Sequence, residues 1–183
     1  MLGKDNQVQF LYQIDKIQLD EDFVHMTLAH VHLLVNHFPI LGTLFIMALF
    51  IIALVFRSTL MQKVSLWFLV VIALLTAVAY ATGDKAEAAV QGLPGISEQI
   101  IHLHANVARI GLILMFITGV IALWGAVFYR KHHKLPRLLL ITVLIVLLLN
   151  TALFAYVGFL GGQIHHQEIR SAIEYGPALR KLL

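Results

Sequence analysis

The sequence predicts an all-α integral membrane protein built as a four-helix up-down-up-down bundle. Hydrophobic residues make up 60% of its 183 residues and charged residues only 13%, whereas soluble domains contain roughly 45–50% and about 25%. Spanning a bilayer takes about 20 mostly apolar residues, and four runs are long enough: residues 38–56, 64–82, 105–129 and 138–160. The short connections between these runs favour antiparallel neighbours.

The predicted bundle comprises residues 22–166, so only short segments of the chain lie outside it. Residues 1–21 are expected to form an outward-facing N-terminal arm, with a weakly amphipathic stretch at Val8 to Leu19 that would lie on the membrane surface or against a partner. Residues 167–183 would form an outward-facing C-terminal tail. The first 22 residues are polar and acidic and show no cleavable signal peptide, so we expect the first apolar run to direct membrane insertion.

The loop charges predict the orientation. Two loops contain basic residues and no acid: Arg57 and Lys63 lie in one, and Arg130, Lys131, Lys134 and Arg137 in the other. Because Lys and Arg in short loops mark the cytoplasmic side, both termini should face the periplasm from a bacterial inner membrane. The basic residues are therefore explained by membrane topology, and we expect membrane lipid and no nucleic acid among the partners.

Local signals predict where several helices bend, start and end. Pro39 lacks the amide hydrogen that would bond to Val35, so a kink or tightened turn is expected there. The second helix should continue beyond the membrane through residues 84–89 and stop at the Gly-Leu-Pro-Gly sequence of residues 92–95. Ser97 is a candidate N-cap for the third helix, and Pro136 suits the start of the fourth.

Histidine is concentrated at one end of the apolar runs, which indicates a metal or haem site on one membrane face. The other two histidines, His132 and His133, belong to a basic loop. Cysteine is absent, which excludes disulfides, thiolate ligands, iron–sulfur clusters and covalent haem attachment. The eight clustered histidines are His25, His30, His32, His37, His102, His104, His165 and His166.

Helical spacing groups the polar and small residues into stripes. Residues three, four and seven apart share a helix face, and polar side chains in lipid normally face the bundle interior. We therefore expect the stripes to line a common cavity that opens outward. They comprise His25, His30, His32, Asn36 and His37 in the first span; Thr76, Tyr80, Gly83, Asp84 and Glu87 in the second; Glu98, His102, Asn106 and Arg109, with a slimmer stripe of His104, Ala108 and Gly111, in the third; and Asn150, Phe154, Gly158, Gly161 and His165 in the fourth.

A b-type haem is the leading interpretation of this cavity, because a porphyrin needs two imidazoles from facing helices and apolar walls. His37 with His102 or His104 is the expected axial pair, and His32 and His165 are candidates for a second haem. Arg109 would neutralise a propionate, or would instead extend to the membrane interface. An iron with two imidazole ligands has no open coordination position, which favours electron transfer.

Two other interpretations remain open. A zinc or copper site could use His37, His102, His104 and His165, with carboxylates from the same end. Alternatively, the chain could be a non-redox structural subunit of a membrane complex whose histidines contact partners. A transporter is less favoured because the inner halves of the spans offer few polar groups, and a hydrolase lacks a nucleophile motif.

Residues 32–40 read His-Leu-Leu-Val-Asn-His-Phe-Pro-Ile. This stretch resembles the His-Pro-x-x-Val-His-Phe-Pro-Ile start of a bacterial four-helix membrane domain of unknown function, with Leu33 in place of the usual proline and Asn36 in place of the usual valine. The likeness extends loosely to residues 82–84, to His102 and His104, and to residues 161–162. Some members are fused to c-type cytochromes, so the resemblance implies a respiratory, redox-linked setting.

These observations lead to one functional hypothesis. The chain is expected to be a membrane-bound b-type haem protein, or a haem-carrying subunit of a respiratory complex, with one or two haems. It would transfer electrons between a quinol and a periplasmic carrier such as a c-type cytochrome. An electron-transfer subunit is favoured over a stand-alone enzyme.

Overall fold

The computed structural model describes residues 23–132, 134–166 and 168–170. For residues 131 and 132 it describes the backbone only. Within those ranges the regular structure is entirely helical. The predicted N-terminal arm and residues 171–183 of the predicted tail lie outside the described part. The helices are α1 (residues 23–35), α2 (His37–Val55), α3 (Thr59–Ala81), α4 (Gly83–Val90), α5 (Glu98–His132) and α6 (Arg137–His165).

Four helical segments are long and apolar enough to cross a membrane: Phe23–Val55, Thr59–Val90, Glu98–Arg130 and Arg137–His165. Large apolar side chains cover their outer surfaces, including Phe45, Phe116 and Leu138, which are 61%, 69% and 77% exposed. Such a surface is stable against lipid and unstable in water. The structure therefore confirms the predicted all-α four-helix bundle and indicates a membrane protein.

The contacts between helices give the packing order of the bundle. Helix α3 packs against α2 and α5, and α6 packs against the same two helices. Consequently α2 and α5 occupy opposite corners of the bundle. We call the end that contains His32 and His104 the histidine end, and the end that contains Arg57 and Arg137 the basic end.

The interior combines large apolar side chains with small residues where helices approach closely. Phe50, Leu66, Met115 and Leu147 are completely buried between the helices. Because lipid tails are as apolar as leucine, close van der Waals packing rather than the hydrophobic effect holds membrane helices together. Small residues at helix contacts are therefore important for the stability of this bundle.

Gly119 lies at the closest approach of α5 to α3, where a Cβ atom would stand 2.7 Å from the Cβ of Ala73. We expect Gly119→Ala to force these helices apart and to lower the free energy of unfolding by about 1–3 kcal/mol, the usual cost of overpacking. Thermal unfolding in detergent measures the loss. Ala73→Gly removes the opposing Cβ, so the double variant should recover most of it; a double variant no more stable than Gly119→Ala would contradict this explanation.

The first span is interrupted near Pro39, as the sequence predicts. Regular helix breaks at Asn36, between α1 and α2, although the amide of Asn36 still bonds to the carbonyl of His32 at 2.9 Å. Proline cannot donate a helical hydrogen bond. One turn further along, the hydroxyl of Thr43 donates to the carbonyl of Pro39 at 2.7 Å. The break therefore lies within the histidine-rich part of the span.

The other predicted helix boundaries are also confirmed. Helix α4 continues the second span after a break at Thr82 and ends before Gly92 and Gly95, whose positive φ angles of 77° and 85° suit glycine. Ser97 accepts a hydrogen bond from the amide of Ile100, as an N-cap does. Pro136 immediately precedes α6.

Candidate cofactor site

A cavity of about 480 Å³ lies at the histidine end of the bundle. Its volume falls within the range of about 300–1,000 Å³ that small-molecule and cofactor sites occupy. Four histidines line it, from three of the four spans, together with small and apolar residues. The lining includes His32, His37, Pro39, Ile40, Ala79, His104, Ala108, Phe154, Val157, Gly158, Gly161 and His165.

His32 extends from α1 across to α3. Its Nδ1 atom lies 2.8 Å from the backbone carbonyl oxygen of Ala79. A carbonyl only accepts, so Nδ1 carries the hydrogen and donates it, and in a neutral ring Nε2 then carries a lone pair. No group of the described residues hydrogen-bonds to this Nε2 atom. The ring is thus held in one orientation with a free electron-pair donor.

His104 is held in the same way on the opposite side. Its Nδ1 atom donates to the backbone carbonyl of Val157 on α6 at 3.0 Å, and its Nε2 atom likewise has no partner in the described part of the chain. Histidines that bind metals typically donate their second ring hydrogen to a carbonyl or carboxylate, which fixes the ring.

Glycines provide the space that the two rings occupy. A Cβ atom on Gly83 would lie 3.7 Å from Cε1 of His32, and one on Gly161 would lie 3.4 Å from Cε1 of His104. Each glycine comes four residues after the residue whose carbonyl accepts the ring hydrogen, namely Ala79 and Val157. The α1–α3 and α5–α6 pairs therefore present one histidine arrangement twice, from opposite corners of the bundle.

The structure places the histidines of the expected pairing, His37 with His102 or His104, in different environments. His37 lines the cavity but is exposed, and its Nδ1 atom bonds to Leu33 of its own helical run at 3.2 Å. His32, expected only at a second site, has the ring fixed across the bundle. His32 and His37 are five residues apart and lie on either side of the break at Asn36, so their rings have different environments. The spacing did not show which of the two rings would reach across the bundle.

The stripe of Glu98, His102, Asn106 and Arg109 does not face the cavity, so its predicted inward orientation is wrong. All four residues are exposed, and neither His102 nor Arg109 lines the cavity. Nδ1 of the exposed His102 lies 3.9 Å from Oε1 of Glu87, which is half-buried. The slimmer stripe faces inward because its small residues allow α6 to approach: a Cβ on Gly111 would meet Phe154 at 2.9 Å.

The predicted stripes of the second and fourth spans are confirmed. Thr76, Tyr80, Gly83, Asp84 and Glu87 all line the cavity. In the fourth span the cavity is lined by all the predicted residues except Asn150, which is fully buried deeper in the bundle and donates to the hydroxyl of Thr118 at 2.7 Å.

His25, His30 and His166 lie outside the cavity lining. His30 bonds to the carbonyl of Met26, and Nε2 of His25 accepts a hydrogen bond from Nζ of Lys85 at 3.3 Å, both at exposed positions. Nδ1 of His166 lies 2.6 Å from the Glu168 carboxylate beyond the last span. A hydrogen bond from the backbone amide of Glu168 lowers the pKa of the Glu168 carboxyl below its ordinary value, and the hydrogen bond from the His166 ring lowers it further.

Two polar features of the cavity bear on what it can hold. The side-chain oxygen of Asn36 is buried and has no hydrogen-bond partner among the described residues. Asp84 and Glu87 line the cavity, whereas no Lys or Arg does. In both arrangements a glycine lies four residues after the residue whose carbonyl accepts the ring hydrogen. This spacing is present in the sequence, but it could be recognised only once the helix contacts were known.

A metal site of the predicted zinc or copper type has less support from the geometry. In the described ranges no three His, Asp or Glu side chains come together closely enough to hold one ion. Structural zinc sites usually have four protein ligands and catalytic ones three. The arrangement instead offers two fixed imidazoles beside an apolar cavity.

Comparisons with protein-family models, with curated proteins and with solved structures gave no match to this chain. The functional interpretation therefore depends on the cavity and on the residues that line it.

Proposed function

We propose that this chain is a membrane-bound b-type haem protein in which His32 and His104 are the axial ligands. One observation carries the proposal: two imidazoles from opposite corners of the bundle are fixed through Nδ1 to the carbonyls of Ala79 and Val157 and leave both Nε2 atoms free. An iron ligand must present such a nitrogen lone pair. The matched hydrogen bonds also increase the basicity of each imidazole.

The rest of the cavity also fits a flat apolar macrocycle. Its volume of about 480 Å³ is of the size of cofactor sites, and small residues such as Ala108, Gly158 and Gly161 leave its walls open. We propose one haem per chain, bound in this cavity. With Asp84 and Glu87 in the lining and no protein cation, the haem propionates would need contact with water.

Haem with two imidazole ligands supplies one-electron transfer without ligand exchange. The protein residues orient the imidazoles, and the apolar walls exclude water from the central part of the cavity. We propose that the chain works as an electron-transfer subunit in a bacterial inner membrane, with both termini periplasmic, between a quinol and a periplasmic carrier such as a c-type cytochrome. The loop charges support this orientation.

The test is haem content in the purified protein. After expression in haem-sufficient cells and purification in detergent, pyridine-haemochrome analysis should give one b-type haem per chain, and the reduced spectrum should be that of a low-spin six-coordinate iron. A folded preparation without haem would overturn the proposal. Elemental analysis of the same sample distinguishes it from a zinc or copper protein.

Glu87 should lower the reduction potential of the proposed haem, because a nearby negative charge stabilises the oxidised iron. Glu87 lines the cavity, whereas Glu98 is exposed outside it. We expect Glu87→Gln to raise the midpoint potential by roughly tens of millivolts, measured by spectroelectrochemical titration. The matched control Glu98→Gln should change it much less, and equal shifts in the two variants would contradict this assignment.

A further inference from the structure

A second pocket, of about 470 Å³, lies at the basic end of the bundle, far from the histidine cavity. It lies between the connection from α2 to α3 and the connection from α5 to α6. Three aliphatic side chains form part of its wall. The lining residues are Leu54, Arg57, Thr59, Gln62, Lys134, Leu135, Arg137 and Leu140.

The charge of this pocket is entirely positive. Arg57, Lys134 and Arg137 line it, and no acidic residue does. None of the three forms a salt bridge with any described residue. Like charges brought together repel one another, so an anion bound among them would stabilise the arrangement.

Two long helices begin at the same pocket and add to its positive potential. Helix α3 begins at Thr59 and α6 at Arg137, and both residues line the pocket. Neither helix has an acidic residue in its first turn. The amide groups and the positive dipole end of a helix N-terminus favour an anion.

Gln62 provides an independent indication of a ligand. It is only 6% exposed and lines the pocket, yet its side-chain amide has no hydrogen-bond partner among the described residues. The amide is accessible from the pocket that it lines and can donate to an anion oxygen there.

We propose that this pocket binds the phosphate group of an anionic phospholipid headgroup. The pocket lies at the end of the apolar spans, where headgroups are found, and its aliphatic wall suits the glycerol and first methylenes of a lipid. A soluble phosphate compound offers the same recognition chemistry. Basic pockets between transmembrane helices are known to bind anionic headgroups. The site is independent of the proposed haem.

Native mass spectrometry of the full chain in detergent tests the proposal. Phosphatidylglycerol should bind in preference to phosphatidylcholine with defined stoichiometry and should raise the thermal unfolding midpoint. In a separate arm, inorganic phosphate and pyrophosphate are added to protein in phosphatidylcholine nanodiscs. If only the soluble phosphates stabilise the protein, and substitution of the pocket residues removes that stabilisation, the site would be assigned to a soluble phosphate compound. No response to any of these ligands would overturn the proposal.

Variants localise the binding. Arg57→Gln and Arg137→Gln should each weaken phosphatidylglycerol binding about 5-fold, as expected for one cation near a lipid surface, and Gln62→Leu should weaken it with the net charge unchanged. Arg130→Gln is the matched control, since Arg130 is exposed at the same end but outside the lining. Equal weakening by Arg130→Gln would overturn the proposal. Arg137→Lys, which preserves the charge, should retain most of the binding and shows that loss in Arg137→Gln is not misfolding.

Discussion

Replacing His104 with alanine should abolish haem binding, so that haem content falls at least about 10-fold. Substitutions at metal sites typically lower metal affinity by this factor or more. His104 is fixed by Val157 across the α5–α6 contact, and His102, the other histidine of α5 whose side chain is described, does not line the cavity. His32→Ala should have the same effect, because a single remaining imidazole leaves one axial position unfilled. Pyridine-haemochrome analysis and the reduced absorption spectrum measure both losses.

His102→Ala is the matched control for His104→Ala. The two histidines are two residues apart on α5, but His102 is exposed and outside the cavity. The control should therefore keep full haem content and an unchanged spectrum. If His102→Ala lost the haem while His104→Ala kept it, the proposed axial pair would be wrong. If both variants kept haem and spectrum, neither residue would be a ligand.

Replacing His37 separates the proposed axial pair from the pairing that the sequence predicted. It lines the cavity, but its ring bonds to its own helical run rather than across the bundle. His37→Ala should therefore alter the surroundings of the haem without removing a ligand, so the low-spin spectrum should persist. A high-spin spectrum in His37→Ala together with a normal one in His32→Ala would restore the pairing that the sequence predicted.

Replacing Gly161 with leucine should produce the second large effect, through the position of the His104 ring. The first added carbon already lies 3.4 Å from Cε1 of His104, and the remaining atoms would need the space that the ring occupies. Displacement of the ring breaks its bond to Val157 and moves the lone pair of Nε2. We expect haem content to fall about as far as in His104→Ala, roughly 10-fold or more.

Gly161→Ala is the control, because it adds only the Cβ atom, at 3.4 Å from Cε1 of His104, and none of the carbons beyond it. Alanine and leucine have similar helix propensities, so both variants change the stability of α6 about equally. Haem content should fall only in Gly161→Leu, while circular dichroism and unfolding in detergent should show that both variants are folded. Equal losses in the two would indicate a general effect on α6 and would contradict the role of Gly161.

The sequence predicted the spans and most of the helix boundaries because these depend on local chemistry. Apolar length alone identifies segments that satisfy their backbone hydrogen bonds within lipid. Pro39, the glycines after α4 and Ser97 act through their own backbone geometry or capping bonds, and the structure has each where it was expected. The inward faces of the second and fourth spans were also predicted, because each carries a single polar or small-residue stripe.

The choice between faces of the third span could not be made from the sequence. The stripe of Glu98, His102, Asn106 and Arg109 is more polar than that of His104, Ala108 and Gly111, and polarity alone favoured the wrong one. At the membrane interface long polar side chains can remain in water or among headgroups, so they need no interior partner. Close helix packing instead selected the smaller side chains of the second stripe.

The sequence by itself determined a four-span helical bundle with its histidines gathered at one end, because hydrophobic length and residue spacing are local properties. Only the tertiary structure decided that His32 and His104, rather than His37 and His102, have their rings fixed across the bundle. That distinction depends on the carbonyls of Ala79 and Val157 and on the space beside Gly83 and Gly161. These groups are brought to the histidines by helix packing, and nothing in the sequence near either histidine encodes them.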